Sequence, residues 1–176
     1  NYIIDIRSIS PIGKFISKIL EKNPKLEDVA RASLGCQAYN SSKHTKEQIQ
    51  KRVFHADTKL NEEYMEELAG SDVGRYFHQR LKGQWIRYGN WLHDYRSIDW
   101  LKGSRILIRE VTGKAPYQIQ ATYLEDTFCN YKTILNVNPK LDYDYSMKLL
   151  CGIINSSLIS FIFRNISNKI QANTFP

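Results

Sequence analysis

The stretch LLCGIINSSLISFIFRNIS, residues 149–167, is the most apolar in the chain, and its reading decides the fold. As one helix it would approach a membrane span, which needs about 20 mostly apolar residues. Asn155, Ser156 and Ser157 interrupt its middle, and Arg164 stands near its end. The apolar positions also fall into two groups. Leu149/Ile153 and Leu150/Ile154 are i, i+4 pairs before the break, and Leu158, Ile162 and Ile166 repeat that spacing after it, with Ile159/Phe163 alongside. This spacing predicts two amphipathic helices of about two to three turns each, packed on a core. Asn155 or Ser156 is placed to cap the second, because either side chain can accept from a free N–H of its first turn.

The rest of the chain supplies the core those helices need. Its 176 residues are enough for one domain, and 42% hydrophobic with 24% charged residues is an ordinary globular composition. Three widely spaced cysteines, Cys36, Cys129 and Cys151, show no metal-ligand spacing, and their odd number argues for a reducing, cytoplasmic setting. No secretory signal precedes the first strand-like run, YIIDIR at 2–7, and the chain from Asn1 to TFP reads as a piece of a longer protein. A formal net charge of +7 favours an anionic partner, nucleic acid first.

Pro11 opens a predicted helix, PIGKFISKILEK, ended by Asn23-Pro24. LEDVARAS (26–33) reads as a strand, GCQAYNSSKHT (35–45) as a polar loop, TKEQIQKR as a short helix and GQWIRYG as a short strand. Six of the nine glycines and all three tryptophans fall between 70 and 113, which argues against long helices there. From residue 105 the apolar period becomes two. RILIREV places Ile106 and Ile108 opposite Arg105, Leu107 and Arg109; QIQATY places Ile119, Ala121 and Tyr123 opposite the two glutamines; KTILNVN places Leu135 and Val137 opposite Ile134 and Asn136. Turn residues separate the runs, so the simplest arrangement is an antiparallel meander covered on one face by the two terminal helices. The expected class is α+β: a mostly antiparallel, mixed sheet with short helices and two C-terminal helices packed on it.

No phosphate loop, dinucleotide fingerprint or nucleophile elbow is present, and the four histidines lack zinc-ligand spacing. His55-Ala56-Asp57 reads as a structural or solvated pair, and Glu62/Glu63 with Glu66/Glu67 as a solvated helical face. No residue set makes a catalytic centre or a metal site. Binding signals are stronger. RYFHQRLKGQWIRYGNWLHDYR (75–96) interleaves five cations with six aromatics, a pattern suited to phosphates and bases. Its tryptophans also read as core anchors, with the arginines laid around them. The loop QAYNSSKHTK (37–46) carries side chains able to read base edges, and TGKAPYQ (112–118) presents Lys114 at its tip.

The order of three segments then gives a family resemblance. SRILIREVTG (104–113), IQATYLEDTFCNYKTILNVNP (119–139) and LLCGIINSSLISFIFRNIS (149–167) resemble the TaqI-like C-terminal specificity domain, the target-recognition part of type IIG restriction–modification enzymes and related adenine-specific DNA methyltransferases. LAGSDVGRYF (68–77) looks like that family's L-x-G-x-D-hydrophobic-x-R-Y segment, and the Gly83–Gly89 run like the tryptophan-containing strand after it. ARASLGCQAYN (30–40) is similar to its strand leading into a glycine turn. The resemblance spans most of 26–176, with 1–25 as a strand–helix lead-in. It implies a domain that reads duplex DNA without doing chemistry. The methyltransferase domain, S-adenosylmethionine and, where a nuclease is fused, Mg²⁺ would belong to the rest of the parent.

On residue type and placement, Arg75, Arg80, Arg87, Arg105, Arg109 and Lys114 are expected to neutralise phosphates. Gln37, Tyr39, Asn40, Lys43 and His44 are expected to reach base edges. Double-stranded DNA and the methyltransferase domain are the expected partners, without a membrane. Two other readings stay open: a module that stacks single-stranded RNA, and a basic protein-interaction domain.

Overall fold

The computed structural model describes residues 10–140 and 145–167. The strand expected at 2–7 and the terminal TFP lie outside the described residues. Helix α1 (Pro11–Lys22) starts as expected, with Pro11 at its first position and the Ser10 hydroxyl accepting from Gly13 N–H. The segment predicted as one strand divides instead. Leu26–Val29 forms a helical turn, α2, and only Ala30–Leu34 is strand β1. The Asp28 carboxylate accepts from the Lys25 N–H and closes that turn, a local option that a strand would forgo.

Four strands build the main sheet in the order β1, β10 (Ile134–Pro139), β7 (Arg105–Arg109), β8 (Ala121–Leu124), all antiparallel. This corrects the simple meander. β7 and β8 form the expected neighbouring pair, but the chain then crosses to pair β10 on the far side of β7. The detour is β9 (Cys129–Asn130), which leaves the main sheet to lie parallel to β3 (Tyr64–Leu68). A second sheet has the order β2 (His55–Ala56), β6 (Trp85–Arg87), β3, β9. Between β3 and β6 a two-residue turn joins β4 (Val73–Gly74) to β5 (Phe77–His78). Helix α3 (Lys46–Gln50) carries a capping box between Thr45 and Gln48.

Directly paired residues share a face of the sheet, so register explains the core. On one face Ile106, Ile108, Val137, Ala121 and Ala30 meet Met147, Cys151, Ile154 and Phe163. These four come from α4 (Met147–Ile154) and α5 (Ser157–Ile166). On the other face Leu107, Leu124 and Ile134 pack against Leu68, Val73 and Phe128. A separate cluster around Ile86, Leu92, Leu101, Cys36 and Cys129 fills the second sheet. The three cysteines are reduced. A hydrogen bond shared with Cys36, together with burial, holds the Cys129 thiol well above its usual value.

The opening stretch folds as two helices bent by 55°, and no single helix among the described residues is long and apolar enough to cross a membrane. Ser156 caps α5 by accepting from Ile159 N–H. Asn155 does something else. Its side chain is fully buried, accepts from Ala121 N–H at 3.0 Å and donates to Ala121 C=O at 2.8 Å. An amide is the group that matches a strand edge in this way, one acceptor and one donor at peptide spacing. The helix break is thereby fixed to the first residue of β8.

Removing that amide leaves the Ala121 N–H buried without its partner. Asn155→Ala is expected to cost about 2–3 kcal/mol in urea unfolding, against about 1 kcal/mol for Ser156→Ala. Equal, small losses for both would contradict the assignment.

Candidate nucleic-acid interface

Antiparallel order places specific connections at one end of the main sheet. Leu34 pairs with Leu135, Ile134 with Arg109, and Ile108 with Ala121. The end of β1, the start of β10, the end of β7 and the start of β8 therefore lie side by side. The loop after β1, the turn at 131–133 and the β7–β8 connection all emerge there. Glu110 N–H donates to Thr133 C=O, and Gly35 N–H to Ile134 C=O, which ties the three together. The β4–β5 turn joins the same end: Tyr76 N–H donates to Ala121 C=O, and the Arg75 guanidinium lies 4.1 Å from the Tyr117 ring.

The loop after β1 is held along its length. Cys36 N–H donates to Asn130 C=O, and Gln37 exchanges both main-chain hydrogen bonds with Asp94 at 2.8 and 3.0 Å. A side chain at Gly35 would overlap the carbonyl oxygens of Asn130 and Tyr131, so the close approach requires glycine. His44 is buried, with Nδ1 against Asn40 N–H and Nε2 2.8 Å from Trp91 O. The Tyr39 hydroxyl accepts from Phe54 N–H at 2.8 Å and lies 2.9 Å from His55 Nδ1, while its ring stacks on Phe54. His55 in turn lies 3.2 Å from the buried Glu67 carboxylate. Burial raises the Tyr39 pKa, which keeps the hydroxyl protonated.

These positions correct part of the expected base-reading set. Tyr39 and His44 face inward and hold the loop in shape. Lys43 is exposed, but its ammonium donates to Asn90 O and Leu92 O, both at 2.6 Å. Gln37 and Asn40 are half-buried on the loop. The Gln37 amide donates to Tyr39 O and accepts from Lys132 Nζ at 3.3 Å. Lys132, at the tip of the turn before β10, is exposed on this end. Sequence reading missed it, because a single lysine between a tyrosine and a threonine carries no local signal.

The expected phosphate set also divides. Arg109 and Lys114 stand at the sheet end, Lys114 exposed and Arg109 half-buried. Arg75 is there too, donating to Asn155 O at 3.3 Å from both Nε and Nη2. None of Arg75, Arg109, Lys114 or Lys132 has a carboxylate within ion-pair distance among the described residues. Arg87 ends β6 and Arg80 lies in the connection before it, and both are matched, Arg80 to Glu66 and Arg87 to Glu63 at 2.7 Å. They lie over the rings of Trp85 and Trp91. The hydrogen bond to Glu63 raises the Arg87 pKa. The carboxylates expected on a solvated helical face are thus partners on or beside a strand, where neighbouring side chains alternate sides.

Arg105 is the clearest correction. It is fully buried, its Nη1 donating to Gly103 O and Asp126 O, and burial pushes its pKa down to about 10. The alternation placed it correctly opposite Ile106. That face of β7 is covered by the second layer rather than by water, which removes Arg105 from the surface a phosphate reaches.

The motif LAGSDVGRY acquires a physical reading at this site. Leu68 and Val73 fill the core, and Gly70 lies against Thr133. The buried Asp72 carboxylate accepts from Ala69 N–H and Leu81 N–H, which holds the β4–β5 hairpin at both ends. Arg75 then reaches the helix break at Asn155.

Comparison with known families identifies the domain. The TaqI-like C-terminal specificity domain matches residues 65–176, well over half of the chain. The chain belongs to that family, a target-recognition domain of restriction–modification enzymes. β1 and the loop after it lie upstream of the matched span. No curated protein matches the chain.

Arg105→Met keeps the volume and removes a buried charge. Its expected outcome is a melting temperature at or above wild type, since replacing buried charge by apolar packing is often neutral or favourable. A large loss of stability would show that the two carbonyl contacts outweigh the cost of burying the guanidinium.

Proposed function

We propose that this chain binds double-stranded DNA and reads its target sequence for a methyltransferase domain elsewhere in the parent protein. The observation that carries this is the sheet end. Four cations, Arg75, Arg109, Lys114 and Lys132, none with a carboxylate partner among the described residues, stand beside a loop whose backbone is held by paired hydrogen bonds. Unpaired cations release counterions when they meet phosphates, which supplies affinity and register. A rigid loop carrying amides can then test base edges without an ordering cost. Gln37 and Asn40 are the side chains of this loop in the best position to do so.

On this reading the chain performs no chemistry of its own. The parent is an adenine-specific methyltransferase of the bacterial defence type, with or without a fused nuclease, working in the cytoplasm. S-adenosylmethionine, and Mg²⁺ for a nuclease, belong to the other domains. Extraction of the target base into the methyltransferase pocket falls to that partner.

The test is binding of the chain to duplex DNA across a salt series, with matched single-stranded RNA as control. Binding to duplex should fall steeply with salt. Lys114→Ala and Lys132→Ala should each weaken it and reduce the magnitude of the log–log salt slope by about one. Arg87→Ala should change the slope little, because Glu63 already matches that charge. RNA bound in preference to duplex, or a salt slope untouched by both lysine variants, would overturn the proposal.

A further inference from the structure

The turn between β4 and β5 contains a residue that the fold alone does not account for. Tyr76 has φ +69°, in the left-handed region, at the second of two turn positions between Gly74 and Phe77. Glycine is the residue that adopts this conformation without steric cost. A tyrosine there is strained by roughly 1–2 kcal/mol. The ring does not recover that cost in the core, since Tyr76 is 52% exposed. Its neighbour Phe77 is explained differently, by its ring covering Gly74.

What surrounds Tyr76 points to a ligand with apolar surface and nearby negative charge. The Arg75 guanidinium lies 4.5 Å from the Tyr76 ring and 4.1 Å from that of Tyr117, itself 42% exposed. Arg75 is fixed from behind by Asn155 O and has no carboxylate partner among the described residues. The three side chains form a small platform on the end of the sheet that also carries Arg109, Lys114 and Lys132.

We infer that Tyr76, backed by Arg75 and Tyr117, is an apolar contact for the sugars and groove-facing base edges of the bound duplex, and that its strained backbone is retained to present the ring. This rests on the DNA-binding reading above and adds a contact that is not ionic. A contact with sugars is tolerant of sequence and releases no counterions, so its loss lowers affinity for all duplexes without changing the salt slope.

The test uses the 176-residue chain and a fluorescein-labelled duplex of random sequence, read by anisotropy across a potassium chloride series, with thermal melts in parallel. Tyr76→Gly and Tyr76→Asn both relieve the backbone. They should melt at or above wild type, bind about tenfold more weakly and keep the wild-type salt slope. Tyr76→Phe should bind as wild type. Wild-type affinity in the Gly and Asn variants would overturn the inference while leaving the DNA-binding reading intact. A lower melting temperature in both would make Tyr76 a packing residue and overturn it as well. Failure of the wild type to bind duplex at low salt would remove the DNA-binding reading and this contact together.

Discussion

The paired hydrogen bonds between the Asn155 side chain and the Ala121 backbone fix the geometry on which the rest of the molecule depends. They hold the break between α4 and α5 against the start of β8. The same asparagine offers its own carbonyl to Arg75, and Ala121 C=O also accepts from Tyr76 N–H. Four separate segments, the helix break, the edge strand, the β4–β5 turn and through Tyr117 the β7–β8 connection, therefore meet through two residues. A buried amide of this kind is unforgiving, since any slip of either element leaves a peptide group unpaired in the core. That constraint decides where the cationic end of the sheet lies relative to the helices.

The molecule treats its positive charges in two ways. Beside the second sheet Arg80 and Arg87 sit over tryptophan rings and meet glutamates, so their charge is spent locally. At the end of the main sheet Arg75 meets a main-chain oxygen and Lys132 an amide, with no carboxylate against either among the described residues, and their charge remains available. A net charge of +7 does not reveal this difference, because the total is the same whether or not a given arginine lies against a glutamate. The inward-facing Tyr39 and His44 serve the same surface indirectly. They fix the loop that carries Gln37 and Asn40, which is the condition for reading bases with short polar side chains.

Much of the fold was legible because its signals are local. The i, i+4 pairs around Asn155 separated two helices, the alternation in RILIREV and KTILNVN found β7 and β10, and Pro11 marked the start of α1. Strand order was not legible, since nothing in the sequence of β9 says that it leaves one sheet to join another. The candidate site was half legible. Residue type singled out Lys114 and Arg109, and loop composition Gln37, which the fold brings to one end of the sheet. What a side chain meets decided the rest. Arg105 is interior because the face opposite Ile106 is also covered. Glu63 and Glu66 neutralise arginines far away in sequence, and Lys132 gains its place only from its turn lying beside Gln37.

Hydrogen–deuterium exchange of the chain with and without duplex DNA tests the central claim most directly, because it reports which surface the duplex covers. Protection should concentrate in the loop after β1, the Arg75–Tyr76 turn, the β7–β8 connection and the turn carrying Lys132, with α1 and the outer faces of α4 and α5 unchanged. Protection confined to those helices, or to the second sheet around Arg80 and Arg87, would place the DNA elsewhere and contradict the account.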